Sequence, residues 1–422
     1  MLQKLALRSR RKTWFHLWQE VDWFLLFLYV GLTTLGGIMI HSVELNQGDT
    51  DWWQHWLTGG VGLILALLIA RCRYDALIQW RWVIYILTNL ALIAVQVFGT
   101  QALGAQRWIN IAGFHVQPSE FAKIGLIITL SALLQGRTLP NFLDLVKLLF
   151  VAAVPAGLVF MEPNLGTALV LGAITMGVLY WGNINPGWLL LLISPPISAI
   201  LYGVLQGHLL LPLWIVWVVV LGVTAWFTVG LRWLTTPIFV GITVASGRLG
   251  QVFWNVLQDY QKNRITGFLN PENDPLGTGY HLIQSRIAIG AGELMGRGLH
   301  KGTQTQLNFI PEQHTDFIFS AIGEELGFVG CVLVLLAFWM ICLRLVIIAQ
   351  TSKDNFGSLL AVGVLSMMVF QLFVNIGMNI GLAPVTGIPL PLLSYGRSAL
   401  LSNFIGLGLV ESVANHRQRL RF

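Results

Sequence analysis

Twelve apolar stretches, separated by shorter polar segments, make up most of the sequence. A helix needs about 20 mostly apolar residues to cross the hydrocarbon core of a membrane, and about 17 suffice when flanking side chains reach the interface. The pattern therefore predicts an all-α polytopic membrane protein. The predicted spans lie near residues 23–43, 56–70, 82–98, 119–135, 145–161, 164–181, 187–206, 209–230, 234–256, 317–345, 356–382 and 393–414.

Three of these spans have features that modify the prediction. The second is short, and Trp52 and Trp53 before it offer an extension. Pro195 and Pro196 predict a kink in the seventh span, because proline removes a helical hydrogen bond. The ninth is interrupted by Arg248, so it is either a membrane span or a helix that lies in the interface.

Composition agrees with a membrane protein and argues against a soluble one. Of the 422 residues, 55% are hydrophobic and 10% are charged, whereas soluble domains carry about 25% charged residues. The net charge of +6 is expected on cytoplasmic flanks, and no nucleic-acid partner is expected. Cys72, Cys331 and Cys342 have no metal-like spacing, and we interpret them as packing residues. The first apolar run lacks a cleavage site and should remain a helix.

Lysine and arginine are concentrated in both tails and in alternate connections. Because short cytoplasmic segments carry an excess of these residues, we expect a multi-pass protein of the plasma membrane with both termini cytoplasmic. The predicted organisation is a cytoplasmic tail over 1–22, nine helices over 23–256, a large extracytoplasmic loop over 257–316, three helices over 317–414 and a cytoplasmic tail over 415–422.

With this orientation, four polar or proline-rich segments fall on the outer side, at 99–123, 162–167, 257–316 and 383–398. Charged residues in or beside membrane spans are costly and commonly mark a functional site. We therefore expect these four segments to converge on one site at the outer surface.

The first segment contains Arg107, Trp108, Glu120 and Lys123. Glu120 and Lys123 are three residues apart and can meet on one helix face, either as a self-neutralising pair or as part of a site. Trp108 is either an interface anchor or a substrate contact. Arg107 can hold a phosphate group through two hydrogen bonds.

The second and fourth segments have the composition of turns. Asn164 or Thr167 can cap the helix that follows the second segment. In the fourth, prolines between Pro384 and Pro391 break the helix, and non-helical backbone at membrane depth is tolerated only where protein or a wet cavity covers it. This segment, which ends near Ser394, is therefore expected to form a cavity wall.

The third segment is the only long polar connection, and such connections are commonly functional. Its stretch from Tyr280 to Glu293, which includes Arg286, is amphipathic and can lie in the interface. The segment ends at His314, Thr315 and Asp316. His314 is either structural or part of the site, and Asp316 is either the N-cap of the next helix or a functional acid.

These segments, in this order, resemble the SEDS family of cell-wall polymerases (shape, elongation, division and sporulation), whose branches are RodA, FtsW and SpoVE. The likeness runs from Asp22 to about Arg417 and is strongest to the RodA branch, through residues 274–281 and 415–417. The matching stretches are residues 104–108, 117–123, 269–285, 302–306, 311–319, 324–327, 375–378 and 384–396. The resemblance implies a ten-helix core, so residues 209–256 look like an insertion that adds two helices.

The resemblance implies a peptidoglycan glycosyltransferase, which joins lipid II units into glycan strands outside the membrane while undecaprenyl diphosphate leaves. The family's essential aspartate matches Asp316, its conserved tryptophan matches Trp108, and its conserved glutamate and lysine match Glu120 and Lys123. The implied partners are a class B penicillin-binding protein, which supplies the transpeptidase, and other membrane proteins of the elongation complex.

Glycosyl transfer needs a base for the acceptor hydroxyl and positive charge for the leaving diphosphate. The candidate catalytic residues are Asp316, Glu120 and Lys123. Our hypothesis makes Asp316 the base, with Lys123 orienting or neutralising it. A divalent cation, magnesium or manganese, is a candidate cofactor, although no ligand set is readable. The candidate substrate-binding residues are Trp108, Arg107, His314, Arg286, Arg397 and Ser394.

The chain departs from the family pattern in the second and fourth segments. It has Glu162, Pro163 and Asn164 where the family has Gln-Pro-Asp, which makes Glu162 a candidate for the missing charge. Arg397 stands where the family has glycine, and can add a phosphate contact. The alternative functions are a lipid II flippase or transporter, a division-specific FtsW-like polymerase, and a weakly active scaffold for the transpeptidase.

Overall fold

The computed structural model describes residues 21–45, 52–102, 105–111, 114–136, 142–204, 211–229, 232–256, 262, 264, 267–268 and 279–416. Within these residues it contains fourteen α-helices and three short strands. The helices are α1 Trp23–Glu44, α2 Trp52–Arg71, α3 Leu77–Phe98, α4 Pro118–Leu134, α5 Phe142–Met161, α6 Leu165–Trp181, α7 Pro186–Ala199, α8 Leu211–Thr228, α9 Arg232–Val256, α10 Tyr280–Ala291, α11 Thr303–Gln306, α12 Ile318–Gln350, α13 Asn355–Ile380 and α14 Arg397–Asn415.

Each of the twelve predicted spans corresponds to one of these helices. The second begins at Trp52 and so includes both tryptophans. The seventh contains Pro195 and Pro196 and passes into a π turn at Ile200–Val204, which is consistent with a helix disturbed by proline. Among the described helices, seven are long and apolar enough to cross a membrane. The chain is thus an all-α multi-pass membrane protein; both tails lie largely outside the described residues.

A small antiparallel sheet, which the sequence pattern did not predict, connects α3 to α4. Its strands are β1 Thr100–Ala102, β2 Ala105–Ile111 and β3 Phe114–Val116, in the order β1-β2-β3. Trp108 pairs with Thr100, and Ile109 pairs with Val116. These paired positions hold β-branched and aromatic residues, which favour strand pairing. The sheet fixes the first polar segment at one end of the helix bundle.

Helix α12 is broken at Gly327, whose φ of 67° and ψ of −166° are not helical. The loop before α11 pairs with the break: Phe328 N donates to Glu293 O (2.9 Å) and Gly298 N donates to Glu325 O (3.0 Å). A Cβ at Gly327 would lie 2.2 Å from the backbone nitrogen of Gly296. Only glycine fits this close approach at positive φ.

Helices α8 and α9, which lie in the predicted insertion, pack against α7. Ser198 Oγ of α7 donates to Thr243 O of α9 (2.6 Å), and Trp214 Nε1 of α8 donates to Ser198 Oγ (2.8 Å). A Cβ at Gly250 would lie 2.5 Å from Ala199 O. Small residues and hydroxyl bonds therefore join the pair to the bundle, as is usual between membrane helices.

Candidate active site

The predicted convergence of the four polar segments is observed at one end of the bundle. The first two meet through Arg107 on β2, whose Nε donates to Glu162 O at 3.3 Å and whose Nη2 donates to Pro163 O. We predicted that this guanidinium would bind phosphate. In the structure, two of its N–H groups donate to backbone oxygens of the turn between α5 and α6. Arg107 therefore has a structural role, whether or not it also binds phosphate.

The third and fourth segments meet around Asp316. Asn375 Nδ2 of α13 donates to both Asp316 O (3.0 Å) and Ile388 O (2.8 Å). A Cβ added at Gly387, which has φ of 72°, would lie 3.5 Å from Asp316 Oδ2 and 3.6 Å from Arg264 Nη1. The proline-rich turn therefore exposes a bare backbone position beside both the carboxylate and a guanidinium.

Three further contacts join the fourth segment to the others. Tyr395 N donates to His314 O at 2.9 Å, and the two rings are 5.8 Å apart. At the start of α14, the Arg397 guanidinium lies 4.5 Å from the centre of the Phe114 ring, a cation–π geometry. The neighbouring Ser398 Oγ accepts from Gln117 N (2.9 Å). The proline-rich turn thus lies between the sheet and the Asp316 loop.

Asp316 is a partly exposed acid in a mixed electrostatic environment. Burial raises its pKa from 3.8 to about 6; Glu312 raises it further, while Arg264 and Arg107 lower it. Such a carboxylate is mostly ionised at neutral pH yet binds a proton much more readily than an ordinary aspartate. These are the properties of a general base.

The alternative role of Asp316, as the N-cap of α12, is not what the structure shows. The N-cap is Phe317, which has no side-chain cap hydrogen bond. Instead, Asn379 Oδ1 of α13 accepts from Ser320 N at 3.2 Å. A neighbouring helix therefore caps α12. In contrast, Asn164 does cap its own helix, α6, by accepting from Thr167 N (3.3 Å).

Glu162 is a second unusual acid at this end of the bundle. Its side chain is buried, with 2% of the residue exposed, and neither carboxyl oxygen has a hydrogen-bond partner in the described part of the chain. Burial raises the pKa of Glu162 to about 8, against the opposing effect of Arg107. The group is therefore mainly protonated at neutral pH and adds little negative charge.

Glu120 and Lys123 form the predicted pair inside α4. Lys123 Nζ donates to Glu120 Oε2 at 2.6 Å, and both residues are at most 2% exposed. We predicted that Lys123 orients or neutralises Asp316. The structure pairs it with Glu120, and the charges that shift the pKa of Asp316 come from Arg264, Glu312 and Arg107.

The other predicted residues occupy varied positions. Ser394 is 4% exposed, and its Oγ accepts from Leu390 N (2.8 Å) within the proline-rich turn. Arg286 is exposed on α10, near Gly381 at the end of α13. Trp108 is partly exposed on β2. Among the described residues, no three or more histidine, cysteine, aspartate or glutamate side chains form a group that could hold a metal ion.

Sequence reasoning assigned no role to Asn375 or Asn379, and it considered Arg264 only as one of several basic residues of the long connection that could meet an anionic headgroup or diphosphate. The two asparagines stand four residues apart in a mostly apolar helix, so both face the same side. Buried amides in a membrane helix require hydrogen-bond partners. The spacing of these two asparagines therefore indicated a polar contact with a neighbouring segment. Arg264 had no comparable signal, because its proximity to Asp316 depends on the path of a long connection.

Comparisons with known proteins extend over most of the chain. The sequence profile of the FtsW, RodA and SpoVE group, described as cell cycle protein, matches residues 22–214 and 213–419. The peptidoglycan glycosyltransferase MrdB of Escherichia coli K12 is 34% identical over 361 residues, covering 85% of this chain and 84% of MrdB. The peptidoglycan glycosyltransferase RodA of Treponema pallidum is 34% identical over 435 residues, covering 94% and 98%.

A solved structure is similar in both sequence and fold. It is a chain of a peptidoglycan synthase complex, studied for how polymerisation and crosslinking are coordinated. The TM-score is 0.70 at 28% identity, and the alignment covers 94% of this chain and 99% of the other.

Proposed function

This chain belongs to the FtsW, RodA and SpoVE family of cell cycle proteins, and on that premise we propose that it is a peptidoglycan glycosyltransferase. Its substrate is lipid II, which it polymerises into glycan strands during cell elongation, as a RodA-like enzyme. Support comes from relatives named MrdB and RodA that match along most of their length.

The observation that carries the mechanism is the surroundings of Asp316. Its carboxylate borders the bare backbone of Gly387, beside Arg264, and burial raises its pKa to about 6. We assign Asp316 as the base that removes the proton from the acceptor sugar's 4-hydroxyl. The hydroxyl oxygen forms the new bond to the donor's anomeric carbon, and the bond from that carbon to the diphosphate oxygen breaks.

The leaving diphosphate carries negative charge, and cations placed where that charge develops lower the barrier. Arg264 is the first candidate, because it lies beside the carboxylate. Arg107 and Arg397 are located on neighbouring segments and can contribute longer-range attraction. The buried Glu120 and Lys123 pair supports the packing of α4 and, through it, the site.

In the proposed orientation this end of the bundle faces outward and both termini are cytoplasmic. The positions of lysine and arginine support this arrangement. The partner is a class B penicillin-binding protein; in support, the solved complex that resembles this chain is a synthase that coordinates polymerisation with crosslinking.

The test is Asp316→Asn in purified protein supplied with lipid II and the partner transpeptidase. We expect folding to be retained and polymerisation to be lost, because the amide cannot accept the proton. The wild-type rate should fall as pH drops through about 6, where Asp316 becomes protonated. Asp354→Asn is a matched control at the opposite end of α13: Asp354 caps that helix by accepting from Gly357 N, and asparagine caps equally well.

Two results would count against the proposal. Full polymerisation by Asp316→Asn would remove the base assignment. Movement of lipid II across proteoliposome membranes with no glycan product, under conditions where the partner is active, would instead favour a transporter.

A further inference from the structure

We propose that Asn375 and Asn379 are positioning residues that hold Asp316 in its reactive geometry. This inference rests on the proposed function, because it gives these asparagines their purpose through Asp316. Both lie on α13 and are fully buried. Neither is one of the charged residues to which the proposed mechanism assigns a role.

The two amides share one acceptor. Asn375 Nδ2 is 3.0 Å and Asn379 Nδ2 is 3.1 Å from the backbone oxygen of Asp316. The same Asn375 nitrogen also donates to Ile388 O at 2.8 Å, next to the Gly387 position that borders the carboxylate. Asn375 therefore ties together the two backbone segments between which the Asp316 side chain lies.

Asn379 provides a second restraint by capping α12. Its Oδ1 accepts from both Ser320 N (3.2 Å) and Ser320 Oγ (2.6 Å). An aspartate just before a helix would ordinarily be well suited to satisfy such a first-turn N–H group. Ser320 N donates both to Asn379 Oδ1 on the neighbouring helix (3.2 Å) and to Phe317 O (3.0 Å), so the carboxylate of Asp316 is not needed for capping.

Asn379 is in turn fixed by contacts on its own helix and on α10. Its Nδ2 donates to Asn375 O at 2.8 Å, and its backbone oxygen accepts from Ser285 Oγ at 2.7 Å. The network therefore connects α10, α12 and α13 around one backbone carbonyl. Satisfied buried networks of this kind are rigid, and a rigid support is what a catalytic group requires.

A purely structural role would also produce buried, hydrogen-bonded asparagines, so the experiment must separate stability from positioning. The variants are Asn375→Ala and Asn379→Ala. The matched control is Gln371→Ala, a buried amide one turn earlier on α13 whose Oε1 has no partner in the described part of the chain. Polymerisation of lipid II is measured across pH, per folded protein, as kcat and KM.

We expect each asparagine variant to lower kcat by about tenfold to a hundredfold, because misplacing a catalytic group by about 1 Å has effects of that size. KM should change little, because the cations that attract the diphosphate remain. The acid limb of the pH–rate profile should move to higher pH, because Asp316 loses its alignment with Arg264. Arg264 is the cation that lowers the pKa of Asp316. The Gln371→Ala control should keep the wild-type kcat and acid limb.

Asn379→Ser covers the case in which the alanine variants fail to fold. Its neutral hydroxyl can donate to Asn375 O, four residues earlier on the helix, but it lacks the amide that donates to Asp316 O. Ser320 keeps its bonds to Phe317 O and Ser285 Oγ, so we expect an unfolding temperature closer to that of the wild type together with the lowered kcat.

The outcomes separate the two proposals. If Asp316→Asn still polymerises, the proposed base is wrong and this inference is lost with it. If Asp316→Asn is inactive while Asn379→Ser retains the wild-type kcat and acid limb, only the positioning proposal is overturned. An equal loss of kcat in Gln371→Ala would also overturn it, since any buried amide would then have the same effect.

Discussion

Replacing Glu162 with glutamine should stabilise the protein, and the gain should depend on pH. Burial raises the pKa of Glu162 from 4.5 to about 8, and each pKa unit corresponds to 1.36 kcal/mol. Ionising this carboxyl group therefore costs about 5 kcal/mol more in the folded protein than in the unfolded chain.

The direction of the effect follows from proton binding. Below pH 4.5 the group is protonated in both states, so glutamine brings no electrostatic gain. Between pH 4.5 and about 8 the unfolded chain releases a proton that the folded protein keeps, so wild-type stability falls as pH rises. Glutamine does not ionise, and Glu162→Gln should gain about 3 kcal/mol at pH 7 and about 5 kcal/mol above pH 8.

The measurement is the unfolding temperature of the detergent-purified protein, followed by the fluorescence of its 17 tryptophans. Glu293→Gln is the matched control, because it makes the same chemical change at an exposed position. If Glu162→Gln instead lowers the unfolding temperature, and lowers it more above pH 4.5 than below, Glu162 is ionised in the folded protein and paired with Arg107. Burial would then not keep this carboxyl group protonated.

Three further predictions concern the support of the site. Lys123→Met should destabilise the protein by about 3–5 kcal/mol, because it leaves Glu120 buried without its cation; adding Glu120→Leu should recover much of the unfolding temperature, and no recovery would contradict the pairing. Asn164→Asp should leave thermal stability unchanged, whereas Asn164→Ala should lose about 1 kcal/mol with the cap; equal losses would show that the cap is unimportant. Arg264→Gln should shift the acid limb of the pH–rate profile for polymerisation to higher pH, since Arg264 lowers the pKa of Asp316. An unshifted acid limb would show that Arg264 does not influence the protonation of Asp316.

The helices and the general location of the site could be predicted because they depend on local or one-dimensional properties. The thickness of the hydrocarbon core sets the length of an apolar stretch, and a costly charge such as Asp316 indicates use. The cap formed by Asn164 was also among the predicted roles, since its partner is only three residues away.

Features that depend on contacts between distant segments could not be predicted. The strands around Trp108 are too short to have a clear periodicity of their own and exist through mutual pairing. The carbonyl partners of Arg107 lie 55 and 56 residues away, and nothing in the local sequence indicates them. The non-helical φ of Gly327 likewise follows from the approach of a separate loop.

The cap that Asn379 provides for α12 has a consequence for biogenesis. During synthesis α12 emerges from the ribosome before α13, and its first turn lacks this cap until α13 has entered the membrane and packed beside it. The surroundings of Asp316 are therefore completed late, when residues 375–388 are in place. A chain that stops after α12 would contain Asp316 but not the segments around it, so on the proposed mechanism we expect the nascent protein to become active only after its last helices assemble.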